Sequence, residues 1–210
     1  MVAFVVGPKE EVYTVHKNFA TLDSPVFRAA FSKHWVEGQR GTYTLDETEP
    51  QIFEMFLQWI YGRPVAYIVP KGEGQHYLDP YIRLWLFADE YQVPKLQNSL
   101  MRWFTRDYAS VELHYFHHSI VMEIYEKTTE GSPLRTWIAF EIASRLLLKH
   151  ELKSVKAQFL FRERAEKYSW TQEILLDILE AVFLLPWSGS LGARASWGSL
   201  LVDEELPSIQ

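Results

Sequence analysis

Cysteine is absent from the 210-residue sequence, which excludes disulfide bonds, thiolate catalysis and cysteine-ligated zinc. No apolar run approaches the roughly 20 residues that a membrane-spanning helix needs. Residues 1–6 lack both the length and the basic flank of a secretory signal. Positive charge is not in excess, because the net charge is −6, and no overall field attracts nucleic acid. These absences predict an intracellular protein, cytoplasmic or nuclear, that binds neither membranes nor nucleic acid.

Aromatic residues, by contrast, are abundant. They make up 15% of the chain and include 8 tryptophans. That content supplies a large core and favours an apolar surface that needs a partner. The length allows one domain with an extension, or two small domains.

Residues 12–31 are the stretch around which the chain is organised. The β-branched and aromatic run at 12–15 is typical of a strand. Ser24 fits a helix N-cap, with Pro25 at the first helical position. After it, Phe27 and Phe31 recur at a helical interval. The aromatic spacing predicts that Phe27, and Phe56 further on, are almost completely buried.

The remaining patterns predict an α+β fold, with a small sheet packed by helices and a helical C-terminal region. Strands are expected at 3–6, 11–15, 41–45 and 66–69. Thr48 and Gln51 have capping-box spacing before one helix, and Asp79-Pro80 has a cap-plus-proline signal before another.

The C-terminal half reads as helices that begin near residues 110, 132, 154 and 171. The tail is rich in glycine and serine, without a sustained period, and is predicted to be disordered. The predicted domains are residues 1–108, a helical extension at 109–186 and a tail at 187–210. The last helix carries the cleanest apolar stripe in the chain: Ile174, Leu175, Ile178, Leu179, Val182 and Phe183.

The segments V-H-K at 15–17 and S-P-V-F-R-A-A-F at 24–31 resemble the signature of the BTB/POZ domain. The likeness continues through the loop at 35–37, the strand at 42–45 and the helix at 53–62. Residues 125–128 and 132–135 are similar to the segment that follows the BTB core in many fungal proteins. The resemblance covers roughly residues 1–150 and implies the same α+β core followed by a helical extension.

Trp35, Val36 and Glu37 form the candidate partner-binding loop. In BTB proteins that act as ubiquitin-ligase adaptors, a bulky apolar residue, any residue and a glutamate occupy this loop and contact a cullin. The resemblance therefore implies cullin binding here. Burial of an exposed indole in a partner also gains several kcal/mol. The alternative is that Trp35 folds back onto Phe27 and Phe31 as a local hydrophobic cluster.

Metal binding has one weak candidate. His114 and His118 are four residues apart and share a helix face, with His117 beside them. A zinc site needs three or four convergent ligands, and no HExxH carboxylate accompanies these histidines. A core or interface role for His117 is the simpler interpretation, and no metal or cofactor is predicted.

Catalysis also has one weak candidate, at His16 beside Asp23 and Ser24. The nucleophile elbow G-x-S-x-G is absent. A histidine at a strand-to-helix junction is expected to hydrogen-bond backbone there, so no catalytic residue is predicted.

Residues 145–168 contain seven basic and three acidic residues, a local net charge of +4. The run suits either a patch for acidic partners or the solvated face of a helix. The second interpretation is favoured, since no DNA-reading motif accompanies it.

The sequence as a whole predicts a non-enzymatic protein–protein interaction module, with the Trp35 loop and the helix at 50–61 as candidate surfaces. Two forms stay open. One is a substrate adaptor of a cullin-type ubiquitin ligase, and the other is an oligomerising scaffold or transcription-associated protein without a ligase role. Many dimeric BTB domains exchange a segment that precedes the first strand. Met1 lies directly before that strand, so a monomer or weak homodimer is expected.

Overall fold

The computed structural model describes residues 1–32, 38, 40–65, 78–107, 119–148, 162–163 and 165–184. These residues fall into two compact units, one within residues 1–100 and the other within residues 101–184. The first contains a sheet and helices, and the second is helical. This is the α+β architecture with a helical C-terminal region that the sequence predicts. The three domain ranges given above stay a prediction.

Strand β1 (Val2–Val6) is the centre of a three-stranded sheet in the described part of the chain. It pairs antiparallel with β2 (Glu11–Val15) and parallel with β3 (Thr42–Leu45). The first, third and fifth residues of β1 are buried, since successive side chains of a strand point to opposite faces. The three strands confirm the predicted ones, with ends shifted by at most a single residue.

The turn between β1 and β2 requires a glycine at position 7. The φ angle of Gly7 is +72°, in the left-handed region that glycine adopts without strain. A Cβ atom there would also lie 3.2 Å from the carbonyl oxygen of Thr48 and from Cδ of Pro50. The absence of a side chain therefore lets the turn lie against the segment that leads into the next helix.

Helices follow the strands along the chain. Ser24 begins one of them as predicted, because its Oγ accepts a hydrogen bond from the backbone N–H of Phe27 at 3.1 Å. The same Oγ donates to the carbonyl oxygen of Tyr91 at 2.6 Å. The described helices up to residue 102 are α1 (Lys17–Leu22), α2 (Pro25–Ala30), α3 (Pro50–Ile60), α4 (Asp79–Glu90) and α5 (Pro94–Arg102).

Two predicted helix caps are wrong. The capping box of Thr48 and Gln51 does not form, because Pro50 occupies the first helical position and makes Glu49 the N-cap. Asp79 lies inside the first turn of α4 and not at its cap, which is Leu78. The negative charge of an aspartate in the first turn still interacts favourably with the positive end of the helix dipole.

Aromatic rings fill the core of the first unit. Phe27 and Phe56 are both fully buried, which confirms the prediction made for them. Phe27 lies edge-on to Phe4, with ring centroids 5.1 Å apart, and stacks on Tyr91 at 4.8 Å. The largest fully buried side chains of this unit are Trp85, Phe4, Phe27, Phe31, Phe53 and Phe56.

The second unit is built from helices alone in its described residues. A π-helical turn, Trp103–Asp107, comes before α6 (Ser119–Lys127). Then follow α7 (Pro133–Leu148) and α8 (Gln172–Leu184), which pack against each other. Phe104 of the turn stacks on Trp137 of α7, with ring centroids 4.8 Å apart.

Helix α8 buries only part of the apolar stripe in its sequence. Ile174, Ile178 and Ala181 are buried, whereas Leu179 and Phe183 of the predicted stripe are exposed. Only part of the stripe is therefore buried, because apolar residues occur on two opposite sides of α8. Periodicity alone does not determine which of the two sides packs on α7.

Other predictions lie outside the described residues. They are the strand at 66–69, the first part of the helix predicted from residue 110, most of the helix predicted at 154–168, and the tail at 187–210.

Candidate functional site

The predicted partner-binding loop, Trp35, Val36 and Glu37, lies outside the described residues. Phe27 and Phe31, on which Trp35 would pack in the alternative interpretation, are both fully buried. Their rings contact Phe4 with centroids 5.1 and 5.3 Å away. Both interpretations of the loop stay predictions.

A cluster of exposed apolar side chains is present elsewhere in the first unit. We call it the α1 cluster: His16, Phe19, Leu22 and Tyr61. Phe19 is 44% exposed, Leu22 62% and Tyr61 37%. Phe19 and Leu22 are three residues apart in α1 and so share one side of that helix. The rings of Phe19 and Tyr61 lie 5.0 Å apart.

Within this cluster, His16 at the start of α1 contacts Tyr61, which follows the end of α3. The Tyr61 hydroxyl lies 3.0 Å from Nδ1 of His16 and accepts a hydrogen bond from the His16 backbone N–H at 3.2 Å. His16 is the N-cap residue of α1, yet its side chain makes no capping bond. The imidazole therefore contacts a side chain, and not the backbone as the sequence suggested.

Local sequence explains why these side chains stay exposed. Helix α1 has only six residues, of which Ala20 alone is buried. A helix this short covers little of its own apolar surface. Tyr61 follows the last residue of α3, where Gly62 adopts a positive φ of 67° and ends the helix. The chain turns there, and the Tyr61 ring lies against α1.

The α1 cluster has the chemistry of a protein-binding surface. Its rings present apolar area, while the Tyr61 hydroxyl and the His16 imidazole supply hydrogen-bonding groups at the edge. Aromatic side chains with a polar tip are enriched at the energetically important positions of protein interfaces.

The catalytic candidate does not assemble. Oγ of Ser24 is buried and occupied by its capping bond and its bond to Tyr91. Asp23 forms an ion pair with Lys95 at 2.7 Å. His16 bonds to Tyr61, so each of the three residues has a different partner, and nothing orients them toward one reacting atom.

Metal ligands do not converge in the described residues either, where no group of three or more His, Asp or Glu side chains is placed to hold an ion. His114, His117 and His118 lie outside those residues. The described helices include none that is long and apolar enough to cross a membrane.

The basic run at 145–168 is described only in part. Within it, Arg162 pairs with Glu166 one turn later at 2.8 Å, and both side chains are largely exposed. Such a pair is typical of a solvated helix face.

Sequence reasoning did not identify the α1 cluster, although it named His16 and the helix that ends at Tyr61. The contact joins residues 45 positions apart, and no periodicity reports on such a pairing. The available signal was the apolar pair Phe19 and Leu22 on a helix too short to bury both.

The family comparison agrees with this fold. A family model described as the BTB/POZ domain matches residues 2–105. No solved structure gives a significant match to the chain.

Proposed function

Residues 2–105 of this chain are a BTB/POZ domain, and we propose that the chain is a non-enzymatic interaction module that binds its partners through the α1 cluster. BTB/POZ domains mediate protein–protein interactions. The observation that carries the assignment to this surface is the exposed set Phe19, Leu22 and Tyr61 beside the polar atoms of His16. Covering this set would remove apolar area from water, at about 25 cal/mol for each Å².

Two partners of different kinds are compatible with such a surface. One is a cullin scaffold, in which case the chain is a ubiquitin-ligase adaptor. The other is a second copy of the chain, in which case it is an oligomerising scaffold. Trp35 and Glu37 support the cullin form by their resemblance to the adaptor pattern, while Phe19 and Leu22 are compatible with both.

The first test replaces Phe19 and Leu22 with alanine together. We expect the double variant to bind its partner at least about fivefold more weakly, because truncation of an exposed anchor typically costs more than about 1 kcal/mol. Folding should hardly change, since surface substitutions usually stay within about 0.5 kcal/mol. The measurements are binding to the N-terminal domain of a cullin, self-association by sedimentation, and thermal denaturation.

Val12→Ala is the matched control, because Val12 is also an exposed aliphatic residue but lies on strand β2 and not in the cluster. Unchanged binding in a folded Phe19→Ala/Leu22→Ala double variant would contradict the assignment. A dimer that persists at nanomolar concentration would contradict the expected monomer or weak homodimer.

The second test addresses the cullin form through Trp35. If the loop binds a cullin, Trp35→Ala should cost about 2 kcal/mol or more of binding free energy, roughly thirtyfold in affinity. The free energy of unfolding should change by no more than about 0.5 kcal/mol. If Trp35 instead packs within the fold, its removal should destabilise the protein by several kcal/mol and leave cullin affinity unaffected in the folded fraction.

Val36→Ala is the control for this loop. The middle residue of the adaptor pattern is free to vary, so this substitution should preserve cullin affinity while Trp35→Ala and Glu37→Ala reduce it. If all three variants bind the cullin with the affinity of the wild type, the loop is excluded as the cullin contact.

A further inference from the structure

Helix α8 of the second unit is apolar on two opposite sides. At 100° per residue, Ile174, Ile178 and Ala181 form the side that is buried. The opposite side carries Leu176, Leu179 and Phe183, which are 53%, 50% and 74% exposed. An apolar side of a helix is normally buried. Within the described residues, this second side has no cover.

A pocket adjoins the exposed side. It lies between α7, α8 and the turn that precedes α7, and its volume is about 270 Å³. Its apolar lining comes from Ala139, Phe140, Ala181 and Leu184. Leu184 is itself exposed. At 100° per residue, Glu180 and Leu184 are the pocket residues of α8 that lie nearest to the exposed side.

Carboxylates line the same pocket, at Glu130, Asp177 and Glu180. Asp177 accepts a hydrogen bond from the Tyr125 hydroxyl at 2.6 Å through one oxygen. Glu130 and Glu180 make no ion pair with any residue that the structure describes.

Arg135 does not neutralise these carboxylates, although it also lines the pocket. Its guanidinium bonds to Glu173, to the Thr128 side chain and to two backbone carbonyl oxygens. The pocket therefore presents uncompensated negative charge beside apolar walls.

We propose that this surface binds a basic amphipathic segment of a partner protein. Its apolar side chains would cover Leu176, Leu179 and Phe183, and one lysine or arginine would enter the pocket. The aliphatic stem of that residue suits the wall formed by Phe140 and Leu184, and its charge suits Glu180 and Glu130. This surface belongs to the second unit, so its assignment does not depend on the α1 cluster.

Charge argues against two of the possible occupants, a second copy of α8 and the C-terminal segment of the same chain. A second copy of α8 would bring its own Glu173, Asp177 and Glu180 against the same residues, because residues 172–184 contain no lysine or arginine. The chain after residue 184 holds three acidic residues and a single basic one, Arg194, and complements the pocket poorly. A basic segment complements it well, and we assign that segment to a partner. The chain's own basic run at 145–168 has the same sign of charge, and coverage by it is the same-chain outcome of the test below.

The experiment uses the full chain and a fluorescein-labelled synthetic peptide of about 14 residues, built from leucine and lysine as an amphipathic helix. A matched peptide of leucine and glutamate is the control ligand. Fluorescence anisotropy should show saturable binding of the lysine peptide only. Phe183→Ala should weaken it about tenfold, and Glu180→Gln about threefold with a smaller salt dependence.

Val12→Ala and Glu126→Gln are the matched protein controls, since both residues are exposed and lie outside this surface and outside the α1 cluster. They should leave the affinity unchanged. Equal affinity for both peptides, or equal loss in the controls, would overturn the proposal.

Two further outcomes would assign the surface to another occupant. A dimer of the free chain that Phe183→Asp dissociates would show that a second copy covers it. A wild type that rejects the lysine peptide, combined with destabilisation by Phe183→Asp, would show that the same chain covers it. Either result would overturn the proposal of a basic partner, and neither bears on binding through the α1 cluster.

Discussion

Replacement of Arg135 with methionine is expected to destabilise the second unit by about 3–5 kcal/mol, because it leaves three buried acceptors without a donor and each such group costs about 1–3 kcal/mol. Only 6% of Arg135 is exposed. Its guanidinium donates to the Thr128 hydroxyl at 2.9 Å and to the Tyr125 carbonyl oxygen at 2.7 Å. It also donates to the Thr128 carbonyl oxygen. Methionine fills similar volume but donates nothing, so these buried acceptors lose their partner.

The position of these acceptors explains the expected size of the effect. Tyr125 belongs to the last turn of α6, and Thr128 follows its last residue. The final carbonyl groups of a helix have no partner within the helix, and they carry the negative end of its dipole. Arg135, from the first turn of α7, satisfies two of them with a positive charge. It thereby connects the end of one helix to the start of the next.

The Tyr125 ring completes the network. The Arg135 guanidinium lies 4.5 Å from its centroid, within the range of a cation–π contact. Burial, together with the hydrogen bond to the Asp177 carboxylate, raises the pKa of Tyr125 well above its usual range. The phenol therefore stays protonated and donates to α8, so the network reaches all three helices.

Two substitutions separate the parts of the network. Glu173 pairs with Arg135 but is half exposed, so Glu173→Gln should cost less than about 1 kcal/mol. Arg135→Lys should recover little stability, because an ammonium group cannot reproduce the planar fork of donors. Hydrogen exchange of the full chain should show lost protection in α6 and α7 for Arg135→Met. Protection there equal to the wild type would contradict the structural role of Arg135.

Local sequence signals were sufficient to predict an element where a residue type strongly favours one structural position. Ser24-Pro25 predicted the start of α2, and the structure confirms the capping bond to the Phe27 N–H. The β-branched and aromatic run predicted β2 at its observed bounds, Glu11–Val15. These features depend on a few neighbouring residues, so the chain itself specifies them.

Features that depend on distant partners were not predictable in the same way. Arg135 lies in the segment 132–135 on which part of the family resemblance rests, yet nothing local indicated that it would bond to carbonyl groups at the end of α6. The pairing of His16 with Tyr61 is equally remote. For α8, two apolar sides compete, and the choice between them depends on packing with α7. The Trp35 loop stays a prediction from resemblance.

Phe27→Ala is expected to cost about 3–5 kcal/mol of folding free energy, through lost transfer energy and the cavity that the ring leaves. Phe27 is fully buried where the sheet and several helices meet. Its ring contacts Phe4 of β1, Tyr43 of β3, Phe56 of α3 and Tyr91 at the end of α4, with centroids 4.8 to 5.9 Å away. A close-packed set of rings cannot collapse into the vacancy without leaving favourable rotamers.

Two controls isolate the cavity as the cause. Phe27→Leu keeps an apolar side chain in most of the volume, so it should cost clearly less than the alanine substitution. Phe19→Ala removes the same ring from the exposed α1 cluster and should change stability by no more than about 0.5 kcal/mol. Urea denaturation of the four proteins, followed by circular dichroism, gives the comparison. An unfolding midpoint that Phe27→Ala leaves unchanged would mean that this aromatic cluster does not hold the sheet and its helices together.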